Sequence, residues 1–265
     1  MSAGQQLEFA NPDDRFAWRD RLRDRLRAWT ARGVYFGGSS WKYAGWLGQI
    51  YSRERYRVRG RFSARRFEQH CLAEYAETFP TVCGDFSFYQ FYRPEFWARL
   101  FAQVPAAFKF GFKAPEQVTA PHFARHERYG AKAGQDNPDF LNADLFVAEF
   151  LERLAPYRPQ LGYIVLEFPQ FHRPRPDFLG RLDAFLGNLP AGWPLGVELR
   201  TPALFGKDYF ACLQRHGVAH VFNSWTHMPA IGAQLEEPAA LTAAPVIARV
   251  LLQPGRTYEI GRAHV

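Results

Sequence analysis

Residues 161–199 read LGYIVLEFPQFHRPRPDFLGRLDAFLGNLPAGWPLGVEL, and this stretch decides the fold. It begins with an apolar run, Leu161–Phe168, that is typical of a buried strand, and it ends with a second such run, Leu195–Leu199. Between them, Pro176–Asn188 has apolar residues at helical spacing and a proline at its start. Two strands joined by a helix predict a parallel pair with a right-handed crossover.

The same alternation of strands and helices extends over most of the chain. Repeated units of this kind are compatible with two architectures, an open doubly wound sheet and a closed (β/α)8 barrel. Neither G-x-G-x-x-G nor G-x-x-x-x-G-K-[ST] occurs, which argues against a dinucleotide-binding sheet and a P-loop. The predicted strands are Val34–Gly38, Thr81–Phe86, Phe108–Lys113, Leu161–Phe168, Leu195–Leu199, Val218–Asn223 and Val246–Leu252, and the predicted helices are Ala64–Thr78, Pro94–Gln103, Pro138–Ala155, Pro176–Asn188 and Pro202–His216.

Composition places the chain among globular proteins. Of its 265 residues, 47% are hydrophobic and 17% are aromatic, which is enough to build a sizeable core. No apolar stretch approaches the ~18 residues of a spanning helix, and the N-terminus has no secretory pattern. We therefore expect a cytoplasmic protein with no membrane partner. Cys71, Cys83 and Cys212 are too scattered for a disulfide framework, so we expect buried thiols.

The net charge of +7 is concentrated in one segment. Residues 15–66 hold 15 Lys and Arg against three Asp and Glu. Residues 1–33, which include the first part of this segment, are predicted to form an N-terminal extension with a basic amphipathic helix. The second basic run, Arg53–Arg66, is predicted to be a loop leading into a helix. Its guanidinium groups could contact nucleic-acid phosphates or an acidic partner.

Polar residues stand where the predicted strands end, and in a barrel those ends build the active face. A charge there must be solvated, paired or directed at a ligand, because burying it alone is costly. A structural ion pair is one interpretation and an anion-binding or proton-transfer site is the other; Glu167 is open to both. In the functional interpretation, one pocket holds the catalytic residues Lys113 and Glu198 and the substrate-binding residues Trp41, Tyr89, Arg200 and Asn223.

Metal and cofactor sites are not supported by the motifs. His122 and His126 are four residues apart, but we expect them to lie in a mobile loop rather than on one helical face. No G-x-S-x-G elbow occurs, so serine hydrolase chemistry has no support. We predict no metal, and no motif identifies a cofactor or an oligomeric state.

Several spaced motifs are similar to one family. The segment Phe36–Tyr43, reading FGGSSWKY, together with the motifs Ser87–Tyr89, Phe110–Pro115 and Val197–Arg200, resembles the signatures of the YecE-like family, domain of unknown function 72. The resemblance extends over residues 34–258. It implies a TIM (β/α)8 barrel and no established reaction.

The chain departs from that family's pattern at three strand positions. Cys83 stands where a glutamate is common, Asn223 where an aspartate is frequent, and Glu167 where a glutamine is common. A proton-transfer role at the first two positions therefore does not carry over. The resemblance also makes residues 259–265 stand out as a suspected non-native tail. We accordingly expect residues 34–258 to form a barrel that lacks its last β/α unit.

Two functions follow as alternatives. The first is an enzyme that acts on a small anionic or phosphorylated metabolite at the strand ends. The second is a nucleic-acid-associated protein that contacts phosphates through Arg53–Arg66, and the salt dependence of polyanion binding would distinguish them.

Overall fold

The structure, a computed structural model, describes residues 12–171 and 175–251. Residue 252, the end of the last predicted strand, and the suspected tail 259–265 lie outside the described residues. The chain divides into two compact units. The first unit comprises Met1–Cys83, Ala98–Phe110 and Arg256–Val265, and the second comprises Gly84–Trp97 and Gly111–Gly255.

The described elements follow one another in a mixed α/β order. The strands are β1 (Gly37–Gly38), β2 (Arg57–Val58), β3 (Arg61–Phe62), β4 (Thr81–Gly84), β5 (Lys109–Lys113), β6 (Leu161–Phe168), β7 (Leu195–Leu199), β8 (Ala219–Asn223) and β9 (Ile247–Arg249). The α-helices are α1 (Pro12–Thr30), α2 (Ala64–Thr78), α3 (Pro94–Phe101), α4 (Glu116–Thr119), α5 (Ala143–Phe146), α6 (Glu152–Leu154), α7 (Phe178–Gly187), α8 (Lys207–Arg215) and α9 (Ile231–Leu235).

Seven strands form one sheet in the order β1-β4-β5-β6-β7-β8-β9. The described pairings of β1 with β4, β6 with β7, β7 with β8 and β8 with β9 are all parallel. The predicted α/β fold with a parallel sheet is therefore confirmed. The strand order begins at β1 and ends at β9, so this part of the chain does not show a closed eight-stranded barrel.

The first unit is built around aromatic packing. The indole of Trp46 stacks on Tyr75 and Phe79, with ring centroids 6.4 and 6.0 Å away. The pairing of β1 with β4 requires glycine, because a Cβ on Gly37 would lie 2.0 Å from the carbonyl oxygen of Thr81. Only two residues of the predicted strand Val34–Gly38 enter the sheet; Val34, Tyr35 and Phe36 are exposed.

The basic run leads into α2 as predicted, but its residues 57–62 form a β-hairpin where a loop was predicted. Strands β2 and β3 are antiparallel, with Val58 opposite Arg61. The two residues between them, Arg59 and Gly60, both have positive φ, at 51° and 78°. Two such residues form the tight turn whose twist matches a hairpin. Alternation of arginine with Val58 and Phe62 along this segment was the overlooked signal.

The second unit contains β6 to β9 and a core in which Val165, Val221 and Ile247 pack together. Predicted and observed bounds agree for β6 and β7, as they do for α2 in the first unit, and the two examples that follow differ for local reasons. The strand predicted to reach Phe86 ends at Gly84, because a 3-10 turn follows and the hydroxyl of Ser87 donates to the Gly84 carbonyl. The helix predicted at 138–155 begins at residue 143, where the side chain of Asn142 caps the first turn, and it contains a π-turn at residues 147–151.

Two further expectations concern disulfides between the cysteines and membrane-spanning segments among the helices. All three cysteines are buried, and within the described ranges no disulfide joins them, as predicted. Across residues 12–171 and 175–251, none of the helices combines the length and hydropathy that a bilayer crossing requires.

Candidate functional site

Charged residues converge at the carboxyl ends of the strands of the second unit. The parallel register places Glu167 beside Glu198 on β6 and β7, and it places Asn223 beside Arg249 on β8 and β9. Lys113 ends β5. We call the group formed by Asp85, Lys113, Glu167, Glu198, Arg200 and Arg249 the strand-end cluster.

Glu167 is the centre of the strand-end cluster. Its Oε2 atom lies 2.9 Å from Lys113 Nζ, 2.7 Å from Arg200 Nη2 and 2.9 Å from Arg249 Nη1. Burial by itself would raise the pKa of this carboxyl group, but the three cations together hold the pKa below its ordinary value. Glu167 is therefore a carboxylate at neutral pH.

Glu198 is fully buried, and arginines engage both of its oxygens. Its Oε1 accepts hydrogen bonds from Nε and Nη2 of Arg200 at 2.9 and 2.8 Å, and its Oε2 accepts one from Arg249. Asp85 has a looser place in the cluster, because its ion pairs with Lys113 and Arg249 measure 3.6 and 3.5 Å. Its side chain is also one-third exposed, more than any other in the cluster. Three cations and three carboxylates leave the cluster formally neutral.

Aromatic rings flank two of the cations. The guanidinium of Arg200 lies 4.2 Å from the ring centroid of Trp225, and the ammonium of Lys113 lies 5.4 Å from that of Phe88. The indole N–H of Trp225 is buried and has no hydrogen-bond partner among the described residues.

Asn223 connects the strand ends rather than projecting from them. Its Nδ2 donates to the carbonyls of Leu199 and Val221 at 3.2 and 3.3 Å, and its Oδ1 accepts from the backbone N–H of Trp225. The side chain is fully buried. Asn223 thereby fixes the backbone that carries Trp225.

The other two predicted site residues lie outside the cluster. Tyr89 is 58% exposed, and its ring carries the guanidinium of Arg128 at 4.8 Å. Trp41 belongs to the first unit, where its side chain is buried and its carbonyl accepts a hydrogen bond from the Tyr51 hydroxyl. Of the six predicted site residues, the structure brings Lys113, Glu198 and Arg200 together directly. The functional roles of all six stay predictions.

Sequence reasoning missed two members of the cluster. Arg249 was assigned to an apolar predicted strand and was not considered as a site residue. A single arginine within such a strand could have predicted a buried ion pair, because a buried charge needs partners. Asp85 was assigned to the second predicted strand, and only the turn after Gly84 directs it to Lys113 and Arg249.

One group of side chains has the composition of a metal site. Asp183, Cys212 and His216 place their ligand atoms within 4.8 Å of one another on α7 and at the end of α8. The same Asp183 oxygen already accepts hydrogen bonds from His216 and Arg215, and these bonds lower the pKa of this exposed carboxyl group. Burial raises the pKa of Cys212 to about 11, so its thiol is protonated at neutral pH. We therefore assign no metal here.

Comparisons with known proteins agree on one family. The family model described as "Protein of unknown function DUF72" matches residues 35–263, a range that includes most of the suspected tail. The UPF0759 protein YecE of Escherichia coli K12 is 33% identical over 136 residues, which are 51% of this chain and 43% of that protein. The chain thus matches less than half the length of this curated relative.

Two solved structures share the fold. A DUF72 family protein from Thermotoga maritima MSB8 aligns with a TM-score of 0.53 and 18% identity, covering 74% of this chain and 67% of that one. A DUF72 family protein from Enterococcus faecalis V583 aligns with a TM-score of 0.50 and 18% identity, covering 68% and 62%. At such identities the likeness concerns the fold alone.

Proposed function

Because the chain belongs to the DUF72 family, whose model spans most of its length, we propose a function from the geometry of this member itself. The strand-end cluster binds a small anionic metabolite, a carboxylate or a phosphate. One observation carries the proposal: Lys113, Arg200 and Arg249 meet on a single oxygen of Glu167, within 2.9 Å.

Asp85 occupies the place of the ligand's negative group. Its contacts to Lys113 and Arg249 are the longest in the cluster, and its side chain is the most exposed. Moving this carboxylate into water costs little, because it is already partly solvated. An anion that replaces it would receive charge-assisted hydrogen bonds from the same two cations, which are stronger than bonds between neutral groups.

The remaining residues position these two cations. Glu167 and Glu198 hold Lys113 and the arginines, while Arg200 lies between both carboxylates and the Trp225 ring. Of the two residues predicted to be catalytic, Lys113 is the one that the ligand would contact, because its ammonium group pairs with Asp85 as well as with Glu167. Glu198 would not contact the ligand, because both of its oxygens already accept hydrogen bonds from arginines.

Isothermal titration with inorganic phosphate and with malonate tests the proposal at low ionic strength. We expect Lys113→Met to raise the Kd about tenfold or more, and Asp85→Asn to lower it, since the competing carboxylate is removed. Lys207→Met and Asp208→Asn, at the exposed start of α8, are matched controls for the two charge changes. If Asp85→Asn weakens anion binding, Asp85 is not a stand-in for the ligand and the proposal fails.

The second function predicted from the sequence, phosphate contacts through Arg53–Arg66, has weaker support. Arg55 is paired with Glu77 at 2.5 Å, and Arg57 with Glu54 at 2.9 Å, so part of the basic charge is neutralised within the protein. Binding to DNA or RNA that weakens steeply with salt would revive this function.

We also propose that the seven-stranded parallel sheet belongs to a TIM barrel. The family resemblance supports this architecture, as does the parallel β/α order of β4 to β9.

A further inference from the structure

A cavity in the second unit lies beside the segments that follow β5 and β6, and none of its lining residues belongs to the strand-end cluster. Its volume is about 590 Å³, within the range of small-molecule sites. One side is formed by residues 121–125 together with Gly134 and Asp136, and the other by residues 169–171 and Arg175.

Backbone pairing builds the first side of the cavity. The N–H of Phe123 donates to the Gln135 carbonyl, the N–H of Gly134 donates back to the Phe123 carbonyl, and the N–H of Asn137 donates to the Pro121 carbonyl. This register places His122 directly opposite Asp136. The segment predicted to be a mobile loop is thus held by a short antiparallel ladder.

A chain of polar contacts crosses the cavity. Nδ1 of His122 contacts the Asp136 carboxylate, and Nε2 of His122 lies 2.5 Å from Nη2 of Arg175. Because a guanidinium group can only donate, Nε2 of His122 is the acceptor in this contact and Nδ1 is the nitrogen that faces Asp136. Asp136 thereby orients His122, and His122 holds Arg175 by one nitrogen of its guanidinium fork.

Arg125 is the second cation in the lining, and a glycine positions it. A Cβ on Gly134 would lie 3.1 Å from the Arg125 side chain, and Gly134 has a φ of +76°. Arg125 and Arg175 oppose one carboxylate in the lining, that of Asp136, so the formal charge of these three side chains is positive.

The rest of the lining is apolar and partly aromatic. Phe123 lies on one side of the cavity and Phe171 on the other, accompanied by Pro121 and Pro169. Phenyl faces and proline rings favour a flat hydrophobic body, and guanidinium groups favour carboxylate or phosphate. The lining therefore suits a molecule that combines an aromatic ring with one anionic group.

We propose that this cavity is a binding site for an aryl phosphate monoester or an aromatic carboxylate. The ring packs against Phe123 and Phe171, and the anionic group pairs with Arg125 and Arg175. His122 and Asp136 are positioning residues that act through Arg175. This site is separate from the anion site at the strand-end cluster.

Titration calorimetry with phenyl phosphate, benzoate and inorganic phosphate tests the assignment. We expect phenyl phosphate or benzoate to bind with a Kd about tenfold or more below that of inorganic phosphate, because the cavity also buries the ring. Equal Kd values for all three probes would overturn the proposal. The ratio between phenyl phosphate and benzoate identifies which anionic group the arginines prefer.

Variants locate the binding. Phe171→Ala and Arg175→Gln should each weaken phenyl phosphate binding about tenfold, and Arg125→Gln, at an exposed position, should weaken it without affecting the fold. Arg158→Gln is the matched control, because this arginine stacks on Trp193 outside the lining. Lys113→Met should leave the tight phenyl phosphate site unchanged. If Lys113→Met abolishes this binding while Phe171→Ala does not, the ligand occupies the strand-end cluster and the cavity proposal is wrong.

Discussion

Glu74 in the first unit and Glu198 in the second are both almost inaccessible to solvent, yet they are neutralised in different ways. Glu74 accepts hydrogen bonds from the Tyr56 hydroxyl at 2.6 Å and the Ser52 backbone N–H at 2.9 Å. Its nearest cations, Arg19 and Arg55, are 3.5 and 3.6 Å away. Glu198 instead bonds directly to two guanidinium groups. Burial of a carboxylate therefore does not by itself say what compensates its charge, which is a hydroxyl and a backbone N–H for Glu74 and two guanidinium groups for Glu198.

The largest expected effect is on stability, from removal of the Glu198 charge. Glu198→Gln leaves Arg200 and Arg249 short of a counter-charge in a buried cluster, and we expect the free energy of unfolding to fall by about 3–5 kcal/mol. Glu74→Gln keeps an acceptor for Tyr56, so its cost should be about 1–3 kcal/mol. Urea denaturation of both variants measures the difference. Equal losses of unfolding free energy in the two variants would mean that the kind of partner does not determine the cost of removing a buried carboxylate, and the distinction between Glu74 and Glu198 would be wrong.

Acid should affect the second unit through His220, a buried base between Tyr209 and Gln234. Burial lowers its pKa to about 4, although the hydrogen bond with Gln234 acts in the opposite direction. Because the folded-state pKa lies below the unfolded value of about 6.5, stability is complete above pH 6.5 and falls as the pH drops toward 4.

The total loss over that window should be on the order of 3 kcal/mol. Urea titrations of the wild type and of His220→Gln between pH 7 and 4 measure it, and the variant should lose this pH dependence. Glu167 affects stability in a more acidic range than His220 does. Because its folded-state pKa is lowered, its contribution to the unfolding free energy is lost only at more acidic pH. A wild-type slope that persists in His220→Gln would assign the acid sensitivity to carboxylates.

A smaller loss is expected when the neutral partner of Glu74 is removed. Tyr56→Phe deletes the hydroxyl that donates to this buried carboxylate, and hydrogen bonds to charged groups contribute about 1.5–3 kcal/mol. Tyr35→Phe, at an exposed tyrosine, is the control and should change the unfolding free energy little. If Tyr56→Phe costs nothing, then Arg19 and Arg55 neutralise Glu74 from a distance.

The smallest effect should be a gain, at the tip of the first unit's hairpin. Arg59 has a left-handed conformation, φ 51°, which is unfavourable for a residue with a Cβ and is best tolerated by glycine or asparagine. Arg59→Asn should raise the unfolding free energy by up to about 1 kcal/mol. Arg61→Asn, in the adjacent strand, removes the same charge without relieving the turn and should show no gain.

The sequence predicted the strands better than their ends. Leu161–Phe168 and Leu195–Leu199 were correct at both bounds. Strands of a parallel sheet are buried on both faces, so they can be recognised from runs that are mainly apolar. The end of β4 at Gly84 could not be predicted, because a side-chain hydrogen bond from Ser87 fixes it. The arginine hairpin was misread because its alternation was taken for a charge pattern rather than a strand pattern.

Some residues of the strand-end cluster were predicted from the sequence and others were missed. The logic of strand ends identified Lys113, Glu198 and Arg200, which the structure brings together. The same logic did not identify Arg249, because the predicted strand Val246–Leu252 continues past it, whereas in the structure Arg249 ends β9. Sequence alone also does not show which face of a strand meets a neighbour's carboxylate. Register, which depends on pairing between distant segments, supplies that information.

The position of Trp225 gives the protein a built-in optical probe. A charged group 4.2 Å from an indole changes its fluorescence when the charge moves or acquires a new partner, and Arg200 is such a group. The emission of Trp225 therefore reports on the ion pairs beside it, with no added label. The difference spectrum between the wild type and Trp225→Phe isolates this signal from the other six tryptophans. Rapid-mixing experiments with phosphate or malonate could then test in real time whether an anion binds at the strand ends, as we propose.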